Sequence, residues 1–153
     1  MAERLETLEA TFRRIATTRM RGVPVLHAGL SVQAVGFTRE PVVAGSKSAS
    51  MPLPMLMGVL VTPWFMNVLR LPLTSVAEAA MAGLLPVGVT GGRRYGEHHL
   101  DFVGAHEPTL GAFEQASLFS PMFSFADQPA AVATAHEVLR LLRQSVVASK
   151  VAA

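Results

Sequence analysis

Apolar residues recur at helical spacing at both ends of the chain and gather into strand-like runs between them. Leu5, Leu8, Phe12 and Ile15 step by three and four with glutamate and arginine between, which predicts an amphipathic helix from Ala2 to Met20, ended by Gly22 and Pro24. Leu30–Phe37, with Val32, Val35 and Phe37, reads as a strand whose alternation slips at Ala34. Glu40–Ser50, holding Pro41, Gly45 and several serines, reads as a loop or hairpin connection. Met55–Val61 and Trp64–Leu71 read as a buried hairpin turning at Thr62-Pro63. Thr74 or Ser75 can cap a short alanine-rich helix through Met81, closed by Gly83. Leu85–Gly96, with Pro86 and four glycines, reads as turns. Glu97–Val103 then alternates as a strand, with Leu100 and Phe102 on one face and His99, Asp101 and Val103 on the other. A turn spans Glu107–Gly111. Phe113–Phe119 suits either strand or helix, and Pro121 breaks it. Asp127, followed by Gln128-Pro129, opens a last helix whose apolar stripe is Val132, Ala135, Leu139, Leu142 and Val146. Helix, antiparallel strands, helix: the pattern predicts a single α+β domain, an antiparallel sheet with an N-terminal and a C-terminal amphipathic helix packed on it.

Composition narrows the class. The chain has 153 residues, half of them hydrophobic and only 16% charged, which excludes a disordered chain and leaves room for one core. With no cysteine there is no disulfide frame, thiolate nucleophile, iron–sulfur ligation or cysteine zinc site. A pI of 9.7 looks basic, but the formal charge is only +2 and the arginines lie in scattered pairs, so nucleic acid is not an expected partner. Arg13-Arg14 is no export signal, because Arg19 and Arg21 interrupt the apolar stretch such a signal needs. The uncharged run between Lys47 and Arg70, about 22 residues, is long enough to span a bilayer. Pro52, Pro54 and Pro63 inside it argue for core strands and against a membrane span.

Candidate chemistry is sparse. His98 and His99 point to opposite faces of a strand, so a metal site would need His106, Asp101 or Glu97 brought from elsewhere, and no ligand spacing supports one. Ser117 and Ser120 sit in no G-x-S-x-G elbow, and Gly88, Gly91 and Gly92 form no phosphate loop. No catalytic group, metal or cofactor is expected. A metal-delivery protein or hydrolase built on His98, His99 and His106 is the alternative reading. What the sequence does offer is soft apolar surface. It has eight methionines and eight phenylalanines, and Pro63-Trp64-Phe65-Met66-Asn67 and Ser120-Pro121-Met122-Phe123 set large apolar groups beside turn-forming prolines. Methionine adapts to varied apolar partners, so such clusters suit a groove for peptides.

These same two segments carry a resemblance. Gly58-Val59-Leu60-Val61-Thr62-Pro63-Trp64-Phe65-Met66-Asn67 with Leu71-Pro72, then Leu110-Gly111, Ser117-Leu118-Phe119-Ser120-Pro121-Met122-Phe123 and Phe125-Ala126-Asp127-Gln128, resemble the signature of the HybE/HupJ family of nickel–iron hydrogenase assembly chaperones. Weaker agreement at Arg19-Met20, Pro24 and Val32–Phe37 extends the likeness from about Phe12 to Leu142. The resemblance implies a cytoplasmic, non-enzymatic maturation factor for uptake hydrogenases. Its expected partners are a small- or large-subunit precursor, with the small subunit's twin-arginine signal as one candidate client, and other maturation proteins. It implies a partner-binding site at Pro63, Trp64, Phe65, Met66, Asn67, Leu118, Phe119, Ser120, Pro121, Met122 and Phe123. Glu107 and Glu114 are the nearest acids in sequence and are expected at its rim. Many relatives carry cysteine where this chain has Ala116, and some carry a rubredoxin module, which needs four cysteines that this chain lacks.

Overall fold

The computed structural model describes residues 1–40 and 53–151, with side chains through residue 144. It contains α1 (Ala2–Thr17), β1 (Gln33–Arg39), β2 (Met55–Val61), β3 (Met66–Pro72), a 3-10 turn at Ala79–Ala82, β4 (Thr90–Tyr95), β5 (His98–Glu107), β6 (Gly111–Phe119) and α2 (Gln128–Val151). All six strands form one antiparallel sheet in the order β1-β2-β3-β6-β5-β4. The α+β architecture with a helix from each end of the chain packed on an antiparallel sheet is therefore the one the pattern predicted.

Strand periodicity assigns the two helices to opposite faces. Successive side chains of β2 alternate: Leu56 and Leu60 pack with Leu8, Phe12 and Ile15 of α1, whereas Met57, Val59 and Val61 pack with Ala131, Ala135 and Leu139 of α2. Every residue of β2 is consequently buried, which is why this strand reads as an unbroken apolar run. Arg4 ties the start of α1 to the sheet by donating to Pro72 O (2.9 Å) and Leu110 O (3.0 Å). Asp127 caps α2, its Oδ1 accepting from Ala130 N–H at 3.0 Å.

The sheet is strongly curled. Across a flat sheet six strands wide the outer strands would stand about 24 Å apart. Yet Tyr95, at the end of β4, donates its hydroxyl proton to Glu40, immediately after β1, at 2.8 Å. The two edges converge at this corner, with α2 in contact with β1, β2 and β4 on the enclosed face.

Several boundaries differ from the sequence reading. α1 stops at Thr17, because the N–H groups of Thr18 and Met20 fold back onto Ile15 O and the chain reverses at Gly22 with φ +75°. The first strand runs Gln33–Arg39 and its irregularity lies two residues past Ala34: between Val35 and Thr38 the register shifts where Gly36 adopts φ +64°. Neither Thr74 nor Ser75 caps a helix, and Ala79–Ala82 makes only a 3-10 turn, which Gly83 does close at φ +67°. Leu85–Gly96 is more than turns, since Thr90–Tyr95 is a strand. The strand expected at Glu97–Val103 continues to Glu107, and Phe113–Phe119 is strand, not helix. Most of the loop read at Glu40–Ser50 lies outside the described residues.

Candidate functional site

The turn between β2 and β3 is built by one hydroxyl. Thr62, wholly buried, accepts from Phe65 N–H (2.9 Å) and Trp64 N–H (3.2 Å) through Oγ1, while its own N–H donates to Phe65 O at 2.9 Å. This hairpin end meets the end of β6: Met66 faces Phe119 and Asn67 faces Ser117 across a register shift, and Ser120 Oγ lies 3.5 Å from Trp64 O. The two motif segments, some fifty residues apart in the chain, thus share one corner of the sheet.

Their side chains divide into three groups there. Trp64 and Phe65 are half-buried and lean on Phe12 of α1, with ring centroids 6.4 and 5.7 Å from it. Met66 and Met122 are wholly buried in the core beneath α2, so the structure gives them a supporting position under the surface, not one on a groove wall. Asn67 is buried as well and donates to Gln115 Oε1 at 3.0 Å. What faces outward is Phe119 (36% exposed), Phe123 (57%), Ser120 and Pro121, with Leu118 and Pro63 half-buried. Phe119 rests edge-on against Phe125, and Phe123 stacks on His27.

His27 is the residue that sequence reasoning passed over. Its N–H donates to Pro63 O (2.8 Å) and its Nε2 lies 2.7 Å from Phe125 O. Gly29 N–H donates to Nδ1 at 3.0 Å, so the ring proton sits on Nε2 and that contact is a donated hydrogen bond. One residue therefore pins the β2–β3 turn, through its backbone N–H, to the segment after β6, through its ring, and carries Phe123 on the face of that ring. The signal available in sequence was weak: a lone histidine between Pro24 and Gly29, in a segment with no periodic pattern.

The expected rim acids are elsewhere. Glu107 sits at the opposite end of the β5–β6 hairpin, about 27 Å along β6 from Phe119, and is held by both guanidinium contacts of Arg19 at 2.7 and 2.8 Å. Glu114 is wholly buried under the α2 face, where it accepts from Arg70 (2.7 Å), Arg93 (2.6 and 2.7 Å) and Leu85 N–H (2.7 Å). Burial by itself would raise the Glu114 pKa, but the bonds from Arg93, Leu85 and Arg70 outweigh it and hold the carboxyl below its ordinary value. Burial likewise opposes the charge on Arg70, and its bonds to Glu40 and Glu114 overcome that and keep it protonated. Burial and the neighbouring Glu40 charge push the Tyr95 phenol up. With two acids and two arginines, the network is a neutral structural unit and not a binding rim.

The histidines do not converge. His98 faces Tyr95 and His99 faces Arg94 across the β4–β5 hairpin, while His106 lies about 23 Å farther along β5. His99 Nε2 pairs with exposed Asp101 at 3.0 Å. Among the described residues, no three His, Asp or Glu side chains are grouped as a metal would require.

Residues 3–153 match the profile of the family described as NiFe-hydrogenase assembly, chaperone, HybE. The chain belongs to the HybE family of hydrogenase assembly chaperones. It is 47% identical over 144 residues to Protein HoxT of Cupriavidus necator, covering 94% of this chain and 77% of HoxT. It is 36% identical over 134 residues to the hydrogenase expression/formation protein HupJ of Bradyrhizobium diazoefficiens, covering 88% and 68%. The solution structure of HybE from Escherichia coli superposes with a TM-score of 0.60 over 92% of this chain and 77% of that one, at 17% identity, so the fold is shared. The family name covers chaperones, not enzymes. Among the described residues, no helix is long and apolar enough to cross a membrane.

Proposed function

We propose that this HybE-family chain acts in the cytoplasm as a non-enzymatic holder of a hydrogenase subunit precursor, and that the client docks at the corner where the Thr62–Phe65 turn meets Phe119–Phe123. One observation carries this reading: Phe123 and Phe119 are large aromatics left exposed beside a corner otherwise tied down by Thr62 and His27. Exposed aromatics on a rigid support make efficient anchors, because little order is lost when a partner covers them. An apolar stretch such as that of a twin-arginine signal peptide suits these rings. The paired cations of such a signal would have to find acids other than Glu107 and Glu114, which are engaged elsewhere.

The test is capture of a small-subunit precursor, with and without its signal peptide, by wild type and Phe123→Ala. Phe123→Ala should leave the melting temperature nearly unchanged, as exposed substitutions do, and should weaken capture by roughly tenfold or more, as aromatic anchors do. Equal capture of precursors with and without the signal would move the client from the signal peptide to a folded surface. Undiminished capture by Phe123→Ala would remove this corner from the reading.

A further inference from the structure

The two edges of the sheet are finished differently. On β1 and just ahead of it, several outward backbone groups are taken up by side chains from both helices. Ala34 N–H donates to Glu9 Oε2 (2.9 Å), Arg143 Nη2 donates to Gly36 O (2.6 Å), and Gln128 bonds both the N–H and the C=O of Ser31. The shift at Gly36-Phe37 further spoils β1 as a template.

At β4 the situation is reversed. Gly104 N–H donates to Val89 O at 3.0 Å, and the register keeps residue pairs summing to 193, so Gly91, Arg93 and Tyr95 share their hydrogen bonds with β5. Thr90, Gly92 and Arg94 therefore turn their N–H and C=O groups to the free edge, and all three are exposed. Among the described residues, nothing hydrogen-bonds to those groups. Val87 (67% exposed) and Val89 (46%) lead into the same edge.

We propose that this edge pairs with β4 of a second copy of the chain, antiparallel and two-fold symmetric about Gly92. The argument is one of register. Only even-numbered residues face outward, so hydrogen-bonded pairs across the new seam must join even to even. Centring the axis on Gly92 joins Thr90 to the partner's Arg94, Gly92 to the partner's Gly92, and Arg94 to the partner's Thr90. Every other centring leaves at least one of the three residues without its mate. In this register no arginine faces an arginine. Arg94, the one side chain that guards the edge against other strands, meets a threonine. On the opposite face Val89 falls across from the partner's Tyr95, and Arg93 across from the partner's Gly91, which has no side chain to obstruct it. The pairing is thus self-complementary in hydrogen bonds and bulk, and it sets no like charges directly opposite each other.

Sedimentation equilibrium of the full chain over a wide concentration range tests this, with charge reversal reporting the register. Thr90→Arg sets a cation against the partner's Arg94 twice per dimer and should raise the dimer Kd roughly tenfold. Thr90→Glu sets an anion there and should lower it by a similar factor. The double variant Thr90→Arg with Arg94→Glu should recover wild-type association or better. Both positions are exposed, so each variant should remain folded by circular dichroism. A wild-type chain that stays monomeric up to about 1 mM, or a dimer indifferent to the sign of charge at position 90, overturns the proposal. So does a monomer whose Thr90→Pro variant loses precursor capture, which would assign the edge to a client strand. Because the association measurements do not involve Phe123, a monomeric wild type or a dimer indifferent to charge at position 90 leaves the client site untouched.

Discussion

Replacing Glu114 by glutamine would keep its shape and remove the charge that Arg70 and Arg93 both use. Arg70 retains Glu40, but Arg93 has no other acid within salt-bridge distance among the described residues. Breaking a buried pair from one side costs about 3–5 kcal/mol, so Glu114→Gln should be strongly destabilised in urea unfolding at neutral pH. The sign of the pH dependence follows from a folded-state pKa held below the ordinary 4.5. The stabilisation is complete above the unfolded-state value and is lost as pH falls through the lower folded one. The gap between wild type and Glu114→Gln should therefore be constant above about pH 5 and shrink below about pH 4. A gap that persists unchanged in acid would mean the variant loses packing and not charge. The buried role of Glu114 was legible in principle: it shares the inward phase of Ala112 and Ala116 on one strand, and an acid in that phase must be paired. Proximity in sequence to Phe119 pointed the wrong way. The same phase argument separates Met122 from Phe123. Met122→Ala should cost about 2–5 kcal/mol because the side chain is enclosed, whereas Phe123→Ala should be nearly neutral to stability.

At Gly36 the chain of β1 and the packing of α2 impose the same requirement. Its φ of +64° disfavours any side chain, and a Cβ built there would stand 2.6 Å from Leu139 Cδ1. Gly36→Ala should lose roughly 2–4 kcal/mol from strain and overpacking together, measurable by thermal unfolding. A loss under about 0.5 kcal/mol would show that α2 can slide away from β1. Elements with both faces buried, or with clear caps, were legible in sequence. β2 was read to the residue and β3 to within two residues, Trp64 and Phe65 belonging to the turn, because an uncharged apolar run broken by Pro63 admits few other folds, and α2 was placed by Asp127 and its stripe. β4 was not legible. As an edge strand it buries little, its inward residues Arg93 and Tyr95 serve a polar network, and Gly91-Gly92 imitate a turn. The client corner was half legible: its two segments were found, but the clamp on them comes from His27, whose partners lie 36 and 98 residues away.

A curled sheet with one sealed edge and one open edge has a natural limit to its growth. If β4 pairs across a two-fold axis, the outer margins of the joined sheet are two copies of β1, and assembly should stop at two because Glu9 and Arg143 on β1, and Gln128 just ahead of it, occupy backbone groups that a further strand would use. Unsealing β1 should then let pairing continue, since each molecule would present two usable edges and nothing would close the array. Glu9→Ala with Arg143→Ala frees Ala34 N–H and Gly36 O and is expected to give concentration-dependent light scattering from species larger than a dimer. Glu9→Gln keeps an acceptor for Ala34 N–H and, with Arg143 intact, should not. Adding Thr90→Arg to the unsealed variant weakens the β4 seam and should reduce the scattering, because growth needs both edges in alternation. A folded Glu9→Ala/Arg143→Ala protein with the same size distribution as wild type would show that the bulge at Gly36-Phe37 protects β1 unaided. Scattering that Thr90→Arg leaves untouched would mean that β1 propagates alone and that β4 has no part in assembly.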